Sequence, residues 1–185
     1  GYEYSNYGFA LLGRIVAKAS GQSYEQYLNK EILQPLVLSA STLEPSKAPS
    51  DRIALGYGRR DGKYFMIPSL AHGSFGAMGG LVTSARDLAR YVAFHLSAEP
   101  ARDEPENGPV RRSSVREMQR AWRSSGFSAV RTNPTTELRA SSTSYGYGLG
   151  VARDCRFPRI VTHGGGLPGF GSYMMWLPEY GVGMF

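Results

Sequence analysis

Apolar residues recur at intervals of three and four along the first part of the chain, which is the spacing of one helix face. Segment 7–20 shows this pattern most clearly. Asn6 is predicted to cap the start of this helix, and Gly21 is predicted to end it. The apolar face expected to be buried comprises Leu11, Leu12, Ile15, Val16 and Ala19.

A second helix is predicted to begin after Ser23, because Gln26 stands three residues later and completes a capping box. Pro35 is expected to stop it, since proline cannot continue a helix. The side chains expected on its buried face are Tyr24, Tyr27, Leu28 and Ile32.

Two further capping signals predict two more helices. Ser84 with Asp87 opens the third, and Ser114 with Glu117 opens a short fourth. The apolar stripe of the third comprises Leu88, Tyr91, Val92, His95 and Leu96. His95 is therefore expected to be a packed core residue, whereas His72 is expected on the surface without a role.

The segments between these helices are rich in polar residues, proline and glycine. Residues 36–83 are predicted to be irregular with short strands, and residues 98–112 to be a polar loop. Residues 124–144 are predicted to be a polar linker.

The pattern then changes to short apolar runs between glycine and proline turns, which is typical of strands. The predicted strands are 145–152, 159–163, 172–177 and 182–185. Helices followed by strands indicate an α+β fold with an antiparallel meander. We expect one domain over 1–185, with a helical and loop part at 1–123 and sheet strands at 145–185.

Composition excludes several classes of protein. Hydrophobic residues make up 42% and charged residues 19%, which is sufficient for a core and excludes disorder, collagen and coiled coil. No apolar run is long enough to span a membrane. Cys155 is the one cysteine, so neither an intrachain disulfide nor a cysteine metal site is expected. No histidine and carboxylate group has metal-ligand spacing, so no metal or cofactor is expected.

The net charge of +6 does not by itself indicate a nucleic-acid partner. Basic residues are scattered, whereas a nucleic-acid surface requires a stripe interleaved with aromatic residues. Residues 111–123 come closest, and their arginines are interpreted as a solvated helix face. No nucleic-acid partner is expected.

The first candidate site is Tyr4-Ser5-Asn6, directly before the first helix. In one interpretation it is a helix entry, in which Asn6 caps and Tyr4 packs against the helix. In the other, the phenol carries a proton when nearby positive charge lowers its pKa. The amide then holds a substrate carbonyl or orients an ammonium.

The second candidate site is the run from His163 to Phe170, which contains three consecutive glycines directly after a predicted strand. A hairpin turn uses glycine for positive φ angles, but a simple turn does not need three. Glycines beside an edge strand also let a ligand approach the backbone and leave N–H groups for an oxyanion.

Two other motifs fit parts of the sequence as strings of letters. Gly164-x-Gly166-x-x-Gly169 matches the dinucleotide fingerprint, but Pro168 and a following strand exclude the helix that the fingerprint requires. An α/β-hydrolase would need a nucleophile turn, and the nearest candidate is Ser74. Ser74 lies upstream of the glycine run and does not follow a buried strand, which is the wrong context.

Several ordered motifs resemble the serine β-lactamase and penicillin-binding protein superfamily, most closely its class C β-lactamase, D-aminopeptidase, carboxypeptidase and esterase branch. The resemblance covers nearly the whole chain. It is carried by Tyr4-Ser5-Asn6 with the helix after it, by the GGLVTSARDL segment at 79–88, and by the strands at 145–150, 163–170 and 172–178.

The resemblance implies a transpeptidase-like fold, with the active site between a helical region and an antiparallel sheet. The family uses an S-x-x-K, a Y-x-N and a K/H-T/S/G-G motif. Tyr4 and Asn6 match the second motif. His163, Gly164 and Gly165 match the third, and Gly166 falls where the family supplies an oxyanion N–H group. The implied chemistry is acyl transfer through a covalent serine ester on an ester, a peptide or a β-lactam amide.

The S-x-x-K motif is absent from the sequence, because no serine stands three residues before any of the four lysines. The family places that motif upstream of Y-x-N. We therefore expect the chain to be inactive alone. It begins at Gly1, without a methionine and within a motif, and it ends at Phe185 in the middle of an apolar run, so we expect a fragment cut at both ends. The open alternative is a non-catalytic peptidoglycan-binding or regulatory member of the same fold.

His163 departs from the lysine of typical class C β-lactamases. A histidine with an ordinary pKa of about 6.5 is mostly neutral at pH 7, so it attracts a substrate carboxylate less strongly. This favours an esterase or peptidase, although Arg153 or Arg159 could compensate. The resemblance suggests a periplasmic or secreted protein, and the expected partner is a small-molecule or peptide substrate.

Overall fold

The computed structural model describes residues 1–131, 133 and 137–185. The chain divides into two compact units. The helical unit comprises Tyr4–Arg90 and Gly164–Ser172, and the sheet unit comprises Gly1–Glu3, Tyr91–His163 and Tyr173–Phe185.

The helical unit begins with α1 (Asn6–Ser20), which has the predicted end but not the predicted cap. Gly21 ends α1 with a φ of 69°, and its N–H group donates to the Ala17 carbonyl. At the other end, the Gly8 N–H group donates to Ser5 Oγ over 3.0 Å. Ser5 therefore caps α1, and the prediction that Asn6 does so was wrong.

The buried side of α1 also differs from the predicted one. Ala10 and Gly13 are buried, whereas Leu11, Leu12 and Ile15 are 47%, 54% and 61% exposed. A Cβ atom at Gly13 would lie 2.5 Å from the Ala77 methyl group. The helix packs through its small residues because they permit this close approach, and its bulky stripe stays exposed.

The rest of the helical unit contains α2 (Tyr24–Leu28), which continues as a π-helical turn (Asn29–Leu33) and ends before Pro35. The predicted capping box of Ser23 and Gln26 is confirmed. The strands β1 (Gly56–Arg60) and β2 (Lys63–Ile67) pair antiparallel, as short strands in 36–83 were expected. Two short segments follow, the 3₁₀ turn Gly73–Phe75 and α3 (Gly76–Gly79).

The long helix α4 (Ala85–Leu96) begins as predicted, because the Asp87 N–H group donates to Ser84 Oγ over 3.2 Å. Asp87 is only 1% exposed. Its carboxylate accepts hydrogen bonds from the Ala40 N–H group at 2.8 Å and from Ser41 Oγ at 2.9 Å. Asp87 thus anchors the segment after the π-helical turn to the start of α4.

The sheet unit adds α5 (Arg112–Met118), which begins earlier than predicted. Ser114 lies inside the helix rather than at its cap. The Arg112 N–H group instead donates to the Glu106 carboxylate over 3.0 Å. The exposed Trp122 lies after the end of this helix.

The large sheet has six strands in the order β3-β4-β5-β6-β7-β8, which confirms the predicted meander and the α+β class. The strands are β3 (Arg123–Val130), β4 (Arg139–Tyr145), β5 (Gly150–Asp154), β6 (Ile160–Leu167), β7 (Phe170–Leu177) and β8 (Val182–Met184). The prediction of a polar linker at 124–144 was wrong, since β3 and β4 pair antiparallel there. Residues 132 and 134–136 of that segment lie outside the described residues.

The core of the sheet unit lies around Trp176, which is fully buried together with Val161. Val92 and Leu149 complete this buried cluster. The Trp176 indole N–H group donates to Gln119 Oε1 over 2.8 Å, and Gln119 is itself fully buried. The buried indole donor and the buried amide oxygen thus each have a hydrogen-bond partner away from water.

His95 packs in the same core, as predicted. Its ring centroid lies 4.9 Å from that of Trp176 and 4.7 Å from that of Tyr91. Within the part of the chain that the structure describes, neither ring nitrogen has a hydrogen-bond partner. Burial lowers the pKa of His95 to about 4, because the charged ring would lose its hydration.

Among the described residues, no helix has the length and apolar character needed to cross a membrane.

Candidate active site

The first candidate site lies exposed at the start of α1. Ser5 provides the helix cap, so the Asn6 amide is not used for capping and stands exposed at the first helical position. Tyr4 is 48% exposed, and its ring centroid lies 5.9 Å from that of Phe9. Tyr4 therefore packs partly on the helix, as one interpretation predicted, while much of its ring faces solvent.

The second candidate site lies along β6, where His163 is half-buried and the three glycines after it are exposed. His163 Nε2 lies 3.5 Å from the Tyr145 hydroxyl group. The Tyr145 ring in turn contacts the Tyr2 ring at a centroid distance of 5.2 Å. The side chain next to the His163 ring nitrogen is thus a tyrosine hydroxyl group.

The glycines of this run serve different purposes. Gly169 has a φ of 82°, and a Cβ atom there would lie 2.8 Å from the Gly56 Cα atom, so the turn requires glycine. In contrast, the glycines at 164–166 lie within β6, and none of the three has a positive φ. Turn geometry therefore explains Gly169 but not the triple run.

Crowding explains one glycine of the triple run. A Cβ atom at Gly165 would lie 2.5 Å from Ser172 Oγ, so a side chain there would collide with the neighbouring strand. A Cβ atom at Gly166 would meet nothing within 4 Å. Packing thus leaves the glycine at 166 unexplained, which is consistent with a backbone that must remain accessible.

The predicted residues are distributed over both units. Tyr4, Asn6 and Gly164–Gly166 belong to the helical unit, whereas His163 is the last residue of a segment of the sheet unit. His163 and Gly164 are consecutive in β6.

Neither of the other motifs has the local structure that its chemistry needs. Gly169 is followed by β7 and not by a helix, so the glycine run lacks the helix N-terminus that a dinucleotide-binding site requires. Ser74 lies in the 3₁₀ turn Gly73–Phe75, and residues 68–72 before it form no strand. It is therefore not at the strand-to-helix turn of an α/β-hydrolase nucleophile.

The structure also gathers residues that the sequence pattern did not connect. Glu25, Glu44 and His72 each place one ligand atom within 4.8 Å of the others. They lie in three segments that are far apart along the chain, so metal-ligand spacing in the sequence could not reveal them. His72 is partly buried at the surface, where it was expected.

Comparison with protein families matches residues 1–185 to the family described as Beta-lactamase. The chain belongs to the β-lactamase family. A curated relative over 98% of the chain is the D-alanyl-D-alanine-carboxypeptidase/endopeptidase AmpH of Escherichia coli (strain K12), which is 27% identical.

Solved structures of the same family share the fold. The octameric penicillin-binding protein homologue from Pyrococcus abyssi is 28% identical over 99% of this chain, with a TM-score of 0.75. A class C β-lactamase covers 97% of the chain at 20% identity, with a TM-score of 0.67. The predicted transpeptidase-like fold is confirmed.

This chain covers only part of each of those proteins. It spans 43% of the carboxypeptidase, 37% of the Pyrococcus protein and 50% of the class C β-lactamase.

Proposed function

We propose that this chain forms part of a serine hydrolase that works by acyl-serine transfer on an ester, a peptide or a β-lactam amide. The family match over 1–185 supports the hydrolase class. The proposal assigns Tyr4, Asn6 and His163 to catalysis, and Gly164–Gly166 to substrate and oxyanion binding.

The observation that carries the proposal is the division of roles at the start of α1. Ser5 alone satisfies the helix cap, and it does so over 3.0 Å. The helix cap therefore does not use the exposed Asn6 amide. Exposed polar groups that stability does not require are candidates for substrate contact.

The proposed mechanism begins with a serine that this chain does not contain. Tyr4, together with the lysine of an S-x-x-K motif, would accept the serine proton as the serine oxygen attacks the substrate carbonyl carbon. Tyr4 would return that proton to the leaving group and later help to activate water. Asn6 would hold the substrate amide in place through its side-chain hydrogen bonds.

The oxyanion would be held by two N–H groups, those of Gly166 and of the serine. Each such donor contributes on the order of 3 kcal/mol to the transition state. The absence of crowding around Gly166 supports this role, because a bound carbonyl oxygen needs space beside the backbone.

The substrate class follows from His163. An imidazole does not carry the permanent charge of the lysine in typical class C β-lactamases, which favours esters or peptides over efficient β-lactam turnover. The carboxypeptidase named among the relatives is consistent with a peptide substrate.

The 185-residue chain alone is expected to hydrolyse neither nitrocefin nor a D-Ala-D-Ala peptide, because it lacks the nucleophile. Incubation with a fluorescent penicillin or a fluorophosphonate probe, followed by intact-mass measurement, should leave its mass unchanged. Turnover by this chain that Tyr4→Phe abolishes would contradict the proposal.

Restoring an S-x-x-K segment upstream is expected to produce an active protein in which Tyr4→Phe slows acylation by about 100-fold. This substitution removes the phenolic hydroxyl group and keeps the ring that packs on Phe9. The measurement is the rate of labelling by the same probes under single-turnover conditions. Tyr7→Phe is the matched control, since Tyr7 lies in the first turn of α1, three residues after Tyr4, and is 66% exposed. Equal rates for both variants would remove Tyr4 from the mechanism.

The second candidate function is a non-catalytic peptidoglycan-binding or regulatory member of the family. The observation in its favour is that no S-x-x-K occurs in the chain. Sequencing the coding DNA upstream of Gly1 separates the two. An S-x-x-K motif in frame supports the hydrolase, and an intact frame without it supports the binding protein.

A further inference from the structure

Three potential metal ligands come together in the helical unit. Glu25 lies on α2, Glu44 directly precedes the 3₁₀ turn Pro45–Lys47, and His72 directly precedes the turn Gly73–Phe75. One ligand atom of each lies within 4.8 Å of the other two. All three side chains are half-buried, which restricts the positions that they can adopt.

The hydrogen bond of His72 determines which ring nitrogen can bind a cation. Nδ1 lies 2.8 Å from the Gly73 carbonyl oxygen. A carbonyl oxygen only accepts, so Nδ1 must carry the proton, and the neutral ring then has its lone pair on Nε2. Metal-binding histidines commonly have this arrangement, in which a backbone carbonyl fixes the tautomer and the ring orientation.

The cluster is acceptor-rich, and one lysine offsets part of the charge of its two carboxylates in this structure. Lys47 Nζ lies 2.8 Å from Glu25 Oε1 and 3.5 Å from Glu44 Oε2. The Lys47 side chain is 61% exposed, so its ammonium group can move away into solvent.

We propose that Glu25, Glu44 and His72 form a binding site for a Zn²⁺ ion, which replaces the Lys47 ammonium group between the two carboxylates. Zinc accepts a mixture of imidazole nitrogen and carboxylate oxygen, and three protein ligands leave a fourth position for water. Ligand bonds of about 2.0–2.2 Å require the side chains to move inward slightly from their present separations.

The surroundings allow an ion to enter. Glu25 and His72 line one surface cleft of about 390 Å³, so the ligands are reached from solvent. A bound ion would join α2 to two turns that are distant along the chain. Zinc binding should therefore raise the melting temperature, since it favours the folded state alone.

The test is isothermal titration calorimetry of the 185-residue chain with zinc chloride. All proteins carry Cys155→Ser, because the exposed Cys155 thiol could bind zinc by itself. We expect one ion per chain. His72→Gln and Glu44→Gln should each weaken binding by about tenfold or more. Lys47→Met should tighten binding by a similar factor, since it removes the competing ammonium group.

The matched control is Glu31→Gln. Glu31 forms an ion pair with Lys30 at 3.2 Å on a neighbouring turn, but it lies outside the cluster. This variant should bind zinc as the parent does. Circular dichroism reports the folding of each variant. If His72→Gln does not fold, the zinc affinity of Glu44→Gln tests the site.

Three results would overturn the zinc site. In the first, the Lys47→Met variant fails to bind zinc in large excess, or binds no more tightly than the parent. In the second, zinc binding survives both His72→Gln and Glu44→Gln. In the third, magnesium displaces zinc at equal concentration, which would mean that carboxylates alone hold the ion.

Discussion

Replacing Trp176 with alanine is expected to lower the free energy of unfolding of the chain by about 4 kcal/mol. Trp176 is the largest fully buried side chain, and it packs with Val92, Leu149 and Val161. The substitution leaves a cavity in this cluster. It also leaves the buried Gln119 carbonyl oxygen without the indole donor at 2.8 Å. Urea unfolding followed by circular dichroism gives the loss directly.

Trp122→Ala is the matched control, because the chain has two tryptophans and Trp122 is 47% exposed. Its indole N–H group donates to the exposed side of α5, at the Glu117 carbonyl oxygen. We expect its removal to cost less than about 1 kcal/mol. Similar losses for the two variants would mean that the cluster around Trp176 does not form the core of the sheet unit.

The chain is expected to lose about 3 kcal/mol of stability through His95 alone as the pH falls from 6.5 to 4. Burial lowers the pKa of His95 to about 4, whereas an unfolded chain has a histidine pKa near 6.5. Between these two pKa values the histidine is protonated in the unfolded state and mostly neutral in the folded state. Lowering the pH therefore favours unfolding. The contribution is complete above pH 6.5 and decreases steadily towards pH 4.

Urea midpoints of the parent and of His95→Leu, measured at pH 7.5, 5.5 and 4.5, test this prediction. Leucine keeps an apolar side chain beside Trp176 and Tyr91 but cannot bind a proton. The parent should lose stability over this range more steeply than the variant, whatever their difference at pH 7.5. Parallel curves would show that His95 takes up its proton without opening the core.

Local signals in the sequence predicted the helix boundaries well. Ser23 with Gln26, Ser84 and Gly21 act at the predicted positions, because a cap depends on a few adjacent residues. Asn6 and Ser114 were the exceptions, since Ser114 lies inside α5. At the start of α1, two good capping residues stand side by side, and geometry selected Ser5.

The sequence did not reveal which side of α1 is buried. Periodicity identifies a helix, but it favours the bulkiest stripe as the contact face. Close approach of another helix instead selects small residues, as at Ala10 and Gly13.

Strands β3 and β4 escaped prediction because β4 consists mostly of hydroxyl-bearing residues and β3 has three serines among its eight residues. Ser141, Ser142, Thr143 and Ser144 give no apolar alternation, yet their backbones pair on both sides with β3 and β5. The apolar strands 159–163 and 172–177 were visible because their side chains enter the core. Backbone pairing of polar strands leaves no comparable trace in the sequence.

The candidate site was partly predictable in the same way. Tyr4, Asn6 and the run after His163 were visible as contiguous motifs. The cluster of Glu25, Glu44 and His72 was not visible in the sequence, because only folding brings these three distant segments together.

The separate roles of Ser5 and Asn6 affect how variation among relatives can be interpreted. Position 5 can exchange among serine, aspartate and threonine while the cap is kept. Position 6 is free of that constraint, so any restriction observed there must come from what the amide contacts outside the helix. Under the proposed function, position 5 is thus constrained by folding and position 6 by substrate contact.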